Sequence, residues 1–362
     1  MPKLVLALTI ALAALAPAAS AQESGPYQVL KRAKVGGEGG WDYIYADSAG
    51  RRLYIPRSAF PPAPGVETRL SIYNLDTLEL VNEIAGIGGH GTAVDPKSGH
   101  GFTSSKPISM FDTKTMKLIK TIDAGKAEPD GIAFDSFDQR VYVFSHPTKD
   151  ATVIDAKTGD VLGTIDLGGT PEEAVADGKG MLYGVMQDVP GSVTVVDVKA
   201  MKAVAHYPLG DAGRCNGLAL DAKSHVLFAA CAMSGNPLAQ KPALVILSAK
   251  DGKVLATLPL AGSSDGAVFN PSTIEAFSTG GNGTLTVVKE KSPTSFEVEQ
   301  NLDTMNGART ITLDSKTNHI FTMSQERQAA PAAQAPEGRG RGRGRGFAPP
   351  VPGSFTILEI GK

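Results

Sequence analysis

The chain has 362 residues, a formal net charge of −2, 42% apolar residues and 20% charged ones. That balance belongs to a folded globular protein, and near-neutrality excludes strong overall attraction to nucleic acid. With 41 glycines, 24 prolines and little helical periodicity, the composition points to an all-β chain.

The chain opens with Lys3, an apolar run from Leu4 to Ala16, then Pro17 and the small residues Ala19, Ser20 and Ala21. A basic start, an apolar core and an A-x-A ending describe a secretory signal over residues 1–21, cut after Ala21. The run is too short to anchor the chain in a bilayer. The expectation is an exported protein, periplasmic or extracellular, with no membrane span in the mature chain.

From Glu128 to Gly168 four short apolar runs, GIAF, VYVF, ATVID and VLGTIDL, alternate with Asp-, Gly- and Lys-Thr-Gly-containing turns. Such runs read as four antiparallel strands joined by tight hairpins. One sheet of that size cannot bury both faces, whereas a stack of copies can.

The copies are present. Asp47, Asp95, Asp135, Asp177, Asp221, Asn270 and Asp314 each end a short apolar run and precede another. Their spacing, about 40 to 50 residues, is the blade length of a β-propeller. Seven units can be counted, and the last lacks its outer strand because the chain ends after SFTILEI. The stretch Tyr27–Val35 can supply that strand, which would close the ring and remove open sheet edges. The reading is one seven-bladed β-propeller over residues 27–362, with 27–35 as the outer strand of the last blade.

LYIPRS, VYVFSH and LYGVMQ, followed by SIYNLDT, TVIDAKTG and TVVDVKA, resemble the second strand and outer hairpin of the YVTN-repeat, YncE-like propeller family. The resemblance implies the architecture. It leaves function open, because such propellers serve binding, structural and catalytic roles.

Three inserts break the repeat: Ser58–Arg69, Met233–Pro242 and the Ala/Pro/Arg-Gly segment that fills 326–353. All fall between the second and third strands of their blades, the first, fifth and seventh. They should therefore crowd one face of the disc, and function is expected there.

Five residues before each marker stand Asp42, His90, Asp130, Glu172, Asn216, Asp265 and Arg309. The constant offset makes these positions equivalent around the axis, at the mouth of a central channel. Arg57 and Gln187, at the far end of the same hairpins, His146 one residue further along and Trp41 beside Asp42 complete the expected mouth. Carboxylates with an imidazole suit a divalent cation, and His90, Asp130 and Glu172 are the metal candidates. A solvated mouth whose polar residues bond only to water is the competing reading.

Folding the fifth hairpin places Cys215 opposite Cys231. The pair could be a disulfide in an oxidising compartment, two buried thiols, or thiolate ligands beside His90 or His146. The arginines Arg339, Arg341, Arg343 and Arg345 alternate with glycines, a pattern that can track anionic polymers or stay a solvated insert.

The primary functional reading is a binding or scaffold protein that uses the insert-bearing face. The alternatives are a metal-dependent hydrolase or lyase with a central-channel site, and nucleic-acid binding through the Arg-Gly segment. The ligand could be a small molecule, a protein or a polymer, and whether the chain is an enzyme stays open.

Overall fold

The computed structural model describes residues 25–58, 66–234, 241–328 and 349–362. The signal-like residues 1–21 and the Arg-Gly run lie outside the described residues. Among the described residues the chain forms 28 strands, arranged as seven four-stranded antiparallel sheets. No helix among them is long and apolar enough to cross a membrane.

The blades begin with the innermost strands Tyr45–Asp47, Thr92–Asp95, Pro129–Asp135, Pro171–Ala176, Ala212–Asp221, Ala267–Asn270 and Ile311–Asp314. In blades 1 to 6 the next three strands follow in order along the chain. Blade 7 instead takes its outer strand from the N-terminal Gln28–Lys34, which pairs with Thr356–Gly361. The ring is closed by this strand.

The same irregularity marks every outer pair. A bulge interrupts the pairing of third and fourth strands in blades 1 to 6. Another falls between Val29 and Lys31 of the closing strand. A bulge sharpens the local twist, so the borrowed strand has the geometry of the six it replaces.

The turn chemistry explains why the marker is Asp or Asn. The side-chain oxygens of Asp95, Asp135, Asp177, Asp221, Asn270 and Asp314 each accept the amide hydrogen of the residue two further on. Asp47 accepts from Gly50, three further on. This local hydrogen bond, which Asp and Asn make more strongly than Ser or Thr, favours them at the turn. The turn also requires a left-handed residue, and Arg51, Gln139, His225, Ile274 and Asn318 adopt positive φ there.

Second strands are buried on both faces, as Arg140–Ser145 illustrates, because a neighbouring blade lies against each. That is why they read as unbroken apolar runs. The core is accordingly divided into seven clusters, one per blade interface. Phe144 sits between blades 3 and 4 at 1% exposure, a burial that stabilises by roughly 1.5–3 kcal/mol.

Candidate functional site

The innermost strands crowd together at the axis, and the glycines following several mouth positions record how closely. A Cβ on Gly131 would stand 2.6 Å from the carbonyl oxygen of Glu172, and one on Gly217 2.7 Å from the backbone of Gly266. In blades 3, 4 and 5 the inner pair bulges at this level, between Pro129 and Ile132, Pro171 and Ala174, and Cys215 and Gly217. Bulges re-aim side chains. Here they accompany Asp130, Glu172 and Asn216, whose side chains join one network.

All seven equivalent positions meet in one ring of polar contacts. His90 Nδ1 lies 2.8 Å from Asp42 Oδ2 and 3.2 Å from Asp130 Oδ1. His146 Nε2 lies 2.8 Å from Asp130 Oδ2 and 3.5 Å from Glu172 Oε1. Glu172 Oε1 accepts from Gln187 Nε2 at 2.6 Å and from Asn216 Nδ2 at 3.2 Å. Asn216 Nδ2 also donates to Asp265 Oδ1 at 3.1 Å. Arg309 closes the circle, with Nε 3.0 Å from Asp265 Oδ2 and Nη2 3.5 Å from Asp42 Oδ1.

Two of the expected mouth residues are elsewhere. Trp41 packs against Phe355, ring centroids 4.9 Å apart. Arg57 is fully buried, stacks its guanidinium 3.7 Å above the same ring and donates to the carbonyl oxygens of Gly37 and Gly39. Phe355 comes from the last blade, so neither residue faces the ring. The proposed metal set also divides differently: Glu172 groups with His146 and Asp130, while His90 groups with Asp42 and Asp130.

Two further residues belong to the site. Tyr43 and Glu173 occupy the position after the ring, where blades 2, 3, 5 and 6 have glycine. The Tyr43 hydroxyl donates to Glu172 Oε2 at 3.1 Å. Glu173 Oε2 accepts the Leu218 and Ala267 amides at 2.7 and 3.1 Å, so it ties blades 4, 5 and 6 together at the axis. Their departure from glycine is the sequence signal that could have found them. Both line a channel of about 240 Å³ that also touches Ile132, Phe134, Val268 and Ile311.

Electrostatics divide the ring. Burial, reinforced by the nearby Asp130 charge, pushes the Glu172 carboxyl up to about 8. Glu173 is also pushed up to about 8 by burial, against its two backbone hydrogen bonds. Burial raises Asp265 although Arg309 opposes it. The hydrogen bond to Asp42, with the Asp130 charge behind it, raises His90. Burial lowers His146, but its hydrogen bond to Asp130 and that charge outweigh it, and the net direction is upward.

Cys215 and Cys231 face each other across the fifth inner hairpin and are joined as a disulfide, Cα atoms 3.7 Å apart. Their sulfurs are bonded to each other, so they do not serve as thiolate ligands beside His90 or His146. Arg339, Arg341, Arg343 and Arg345 lie outside the described residues.

No family model matches the chain, and no curated protein matches it in sequence. Solved structures do match in fold. A structure titled Kuenenia stuttgartiensis Hydrazine Synthase aligns at TM-score 0.66 and 14% identity, over 85% of this chain and 96% of that one. A chain of the Mitotic Checkpoint Complex aligns at 0.67 and 12%, over 89% and 96%. The RRP9 WD40 repeats align at 0.69 and 9%, over 93% and 99%. At these identities the likeness shows the seven-bladed propeller and nothing finer.

Proposed function

We propose that this chain is an exported binding protein that holds a small polar ligand at the channel mouth on its insert-bearing face. One observation carries the reading: the seven equivalent positions at the mouth ends of the inner strands, with His146 and Gln187, form a single connected polar ring. A mouth needed only for closure could use one repeated residue, as the turns at the other end do. The YVTN-repeat resemblance is consistent with this reading and belongs to the proposal. Export is supported by the Lys3 to Ala21 pattern and by the Cys215–Cys231 disulfide, since disulfides persist in oxidising compartments.

The binding reading is tested by thermal shift with a panel of amino acids, sugars and polyamines. Arg309→Met/Asp265→Asn removes the closing arc of the ring. The expected result is a ligand that stabilises the wild type and loses that effect in the variant. A panel without any shift, or shifts that persist in the variant, would remove the reading. Intact-mass measurement of the protein from a host with two membranes tests export, with cleavage after Ala21 expected and an uncut cytoplasmic chain counting against it.

A second reading, a metal-dependent hydrolase or lyase, is favoured by the two imidazoles that the ring sets among carboxylates. Substrate turnover that requires an added cation would separate it from simple binding.

A further inference from the structure

Asp130 belongs to two ligand sets at once. Asp42, His90 and Asp130 form one, Asp130, His146 and Glu172 the other, and within each the donor atoms lie within 4.8 Å of one another. The sets use different oxygens of the shared carboxylate: Oδ1 is 3.2 Å from His90 Nδ1, and Oδ2 is 2.8 Å from His146 Nε2. A carboxylate with one oxygen in each set has the arrangement that holds two cations side by side, about 3.5–4 Å apart in two-metal sites.

Counting protons points the same way. His90 Nδ1 carries at most one hydrogen and faces two carboxylate oxygens, Asp42 Oδ2 at 2.8 Å and Asp130 Oδ1 at 3.2 Å. The nearer oxygen takes it. Asp130 Oδ1 is then left buried without a hydrogen bond, in a residue only 8% exposed. A cation can accept lone pairs from both oxygens and the nitrogen together, which a proton cannot. The separations fit as well, because ligands at right angles about 2.1 Å from one ion stand about 3.0 Å apart.

The rest of the ring leaves these charges available. Arg309 is engaged with Asp265 and Asp42, so the imidazoles are the cationic groups in contact with Asp130 and Glu172. Gln187 and Asn216 hold Glu172 in place through its Oε1, the outer support that ordered ligands need. His90 and His146, with side chains 49% and 31% exposed, leave a route in from solvent.

We propose that the mouth binds two divalent transition-metal or zinc ions bridged by the Asp130 carboxylate. One is held with Asp42 and His90, the other with His146 and Glu172. Imidazole in each set favours iron or zinc over calcium and magnesium, and the carboxylates beside it also accept manganese. The inference rests on the mouth being a binding site and names what it binds.

The test uses untagged protein and Mn²⁺, read by calorimetry, elemental analysis and electron paramagnetic resonance. Two ions per chain with a spin-coupled signal are expected. His90→Ala and His146→Ala should each keep one ion, now uncoupled, and Asp130→Asn should weaken binding by about 100-fold or more and abolish coupling. One ion or none at millimolar Mn²⁺, two ions without coupling, or full occupancy in the His90→Ala/His146→Ala double variant would each overturn it. A failure here leaves the wider reading to be decided separately, because the Arg309→Met/Asp265→Asn comparison with organic ligands probes the opposite arc.

Discussion

Asp130 and Asp135 belong to the same innermost strand, Pro129–Asp135, and both are buried. Asp135 sits at the turn end, where its side chain accepts the Phe137 amide at 3.0 Å. Asp130 sits at the mouth end, between two imidazoles that come from different blades. Around the propeller the turn end repeats one solution, six Asp and one Asn, while the mouth end presents five residue types at seven equivalent positions. Uniformity across blades marks a backbone requirement met seven times. Diversity at an equally constant offset marks a surface that only the assembled ring uses. Variants at the two ends should therefore differ in what they damage.

The largest expected effect comes from the covalent tie at the mouth end. Removing it with Cys215→Ala/Cys231→Ala opens a bridge of sequence separation 16 and should cost about 3 kcal/mol through the unfolded chain's regained freedom. Thermal unfolding of oxidised wild type against the variant measures it. An unchanged midpoint would mean that the seven inter-blade cores alone hold the fifth hairpin beside Asn216.

Next in size is a turn-end change. Asp314 is fully buried, accepts from Lys316 N at 3.1 Å and Thr317 Oγ1 at 2.7 Å, and pairs with Arg51 at 2.8 Å. Asp314→Ala should destabilise by about 2 kcal/mol, the cost of leaving those donors unpaired. Mouth binding should be unaffected. If ligand or cation affinity fell with stability, the two ends would not be separable in the way their sequences suggest.

Much of this division was legible in the chain itself. The Asx turn demands a specific residue at a specific place, and burial on both faces makes the second strand a continuous apolar run, so blade number and closure could be counted. The constant five-residue offset found the ring because strand equivalence carries positions into space. Trp41 and Arg57 were misplaced for a tertiary reason: Phe355, contributed by the last blade, offers both a packing surface. Tyr43 and Glu173 were missed because they lie where most blades need glycine, and only an alignment of blades on that position would show them. The sharing of Asp130 between two histidines depends on side-chain directions, which no repeat pattern encodes.

A smaller effect tests the turn end by pH. Glu290 is 4% exposed, its Oε2 has no hydrogen-bond partner, and burial together with the Asp221 charge pushes its carboxyl up to about 7. Its folded value thus lies above the unfolded one, about 4.3. The folded state binds the extra proton between those values, so stability should fall as pH rises from about 4.3 to about 7 and level off above. Glu290→Gln should flatten that slope and stabilise the protein at pH 8 by on the order of 1 kcal/mol. Denaturant midpoints across the range decide it, and a slope unchanged by the substitution would remove Glu290 as its source.

The smallest expected change is the most informative. Asp130→Asn keeps shape and volume while removing a charge whose Oδ1 is buried without a hydrogen bond and whose neighbour Glu172 is pushed up to about 8 partly by that charge. The lost contact to His146 and the relieved repulsion act in opposite directions. Stability in metal-free buffer should shift by no more than about 0.5 kcal/mol, or rise. Set beside Asp314→Ala, a buried aspartate at the other end of its blade, the contrast is direct. One aspartate is placed for the fold and its loss is felt in unfolding. The other stands between two imidazoles and beside Glu172 at the mouth, and its loss should be felt in binding. An Asp130→Asn variant as unstable as Asp314→Ala would show that the ring is a structural brace, and that the mouth's diversity has some other cause.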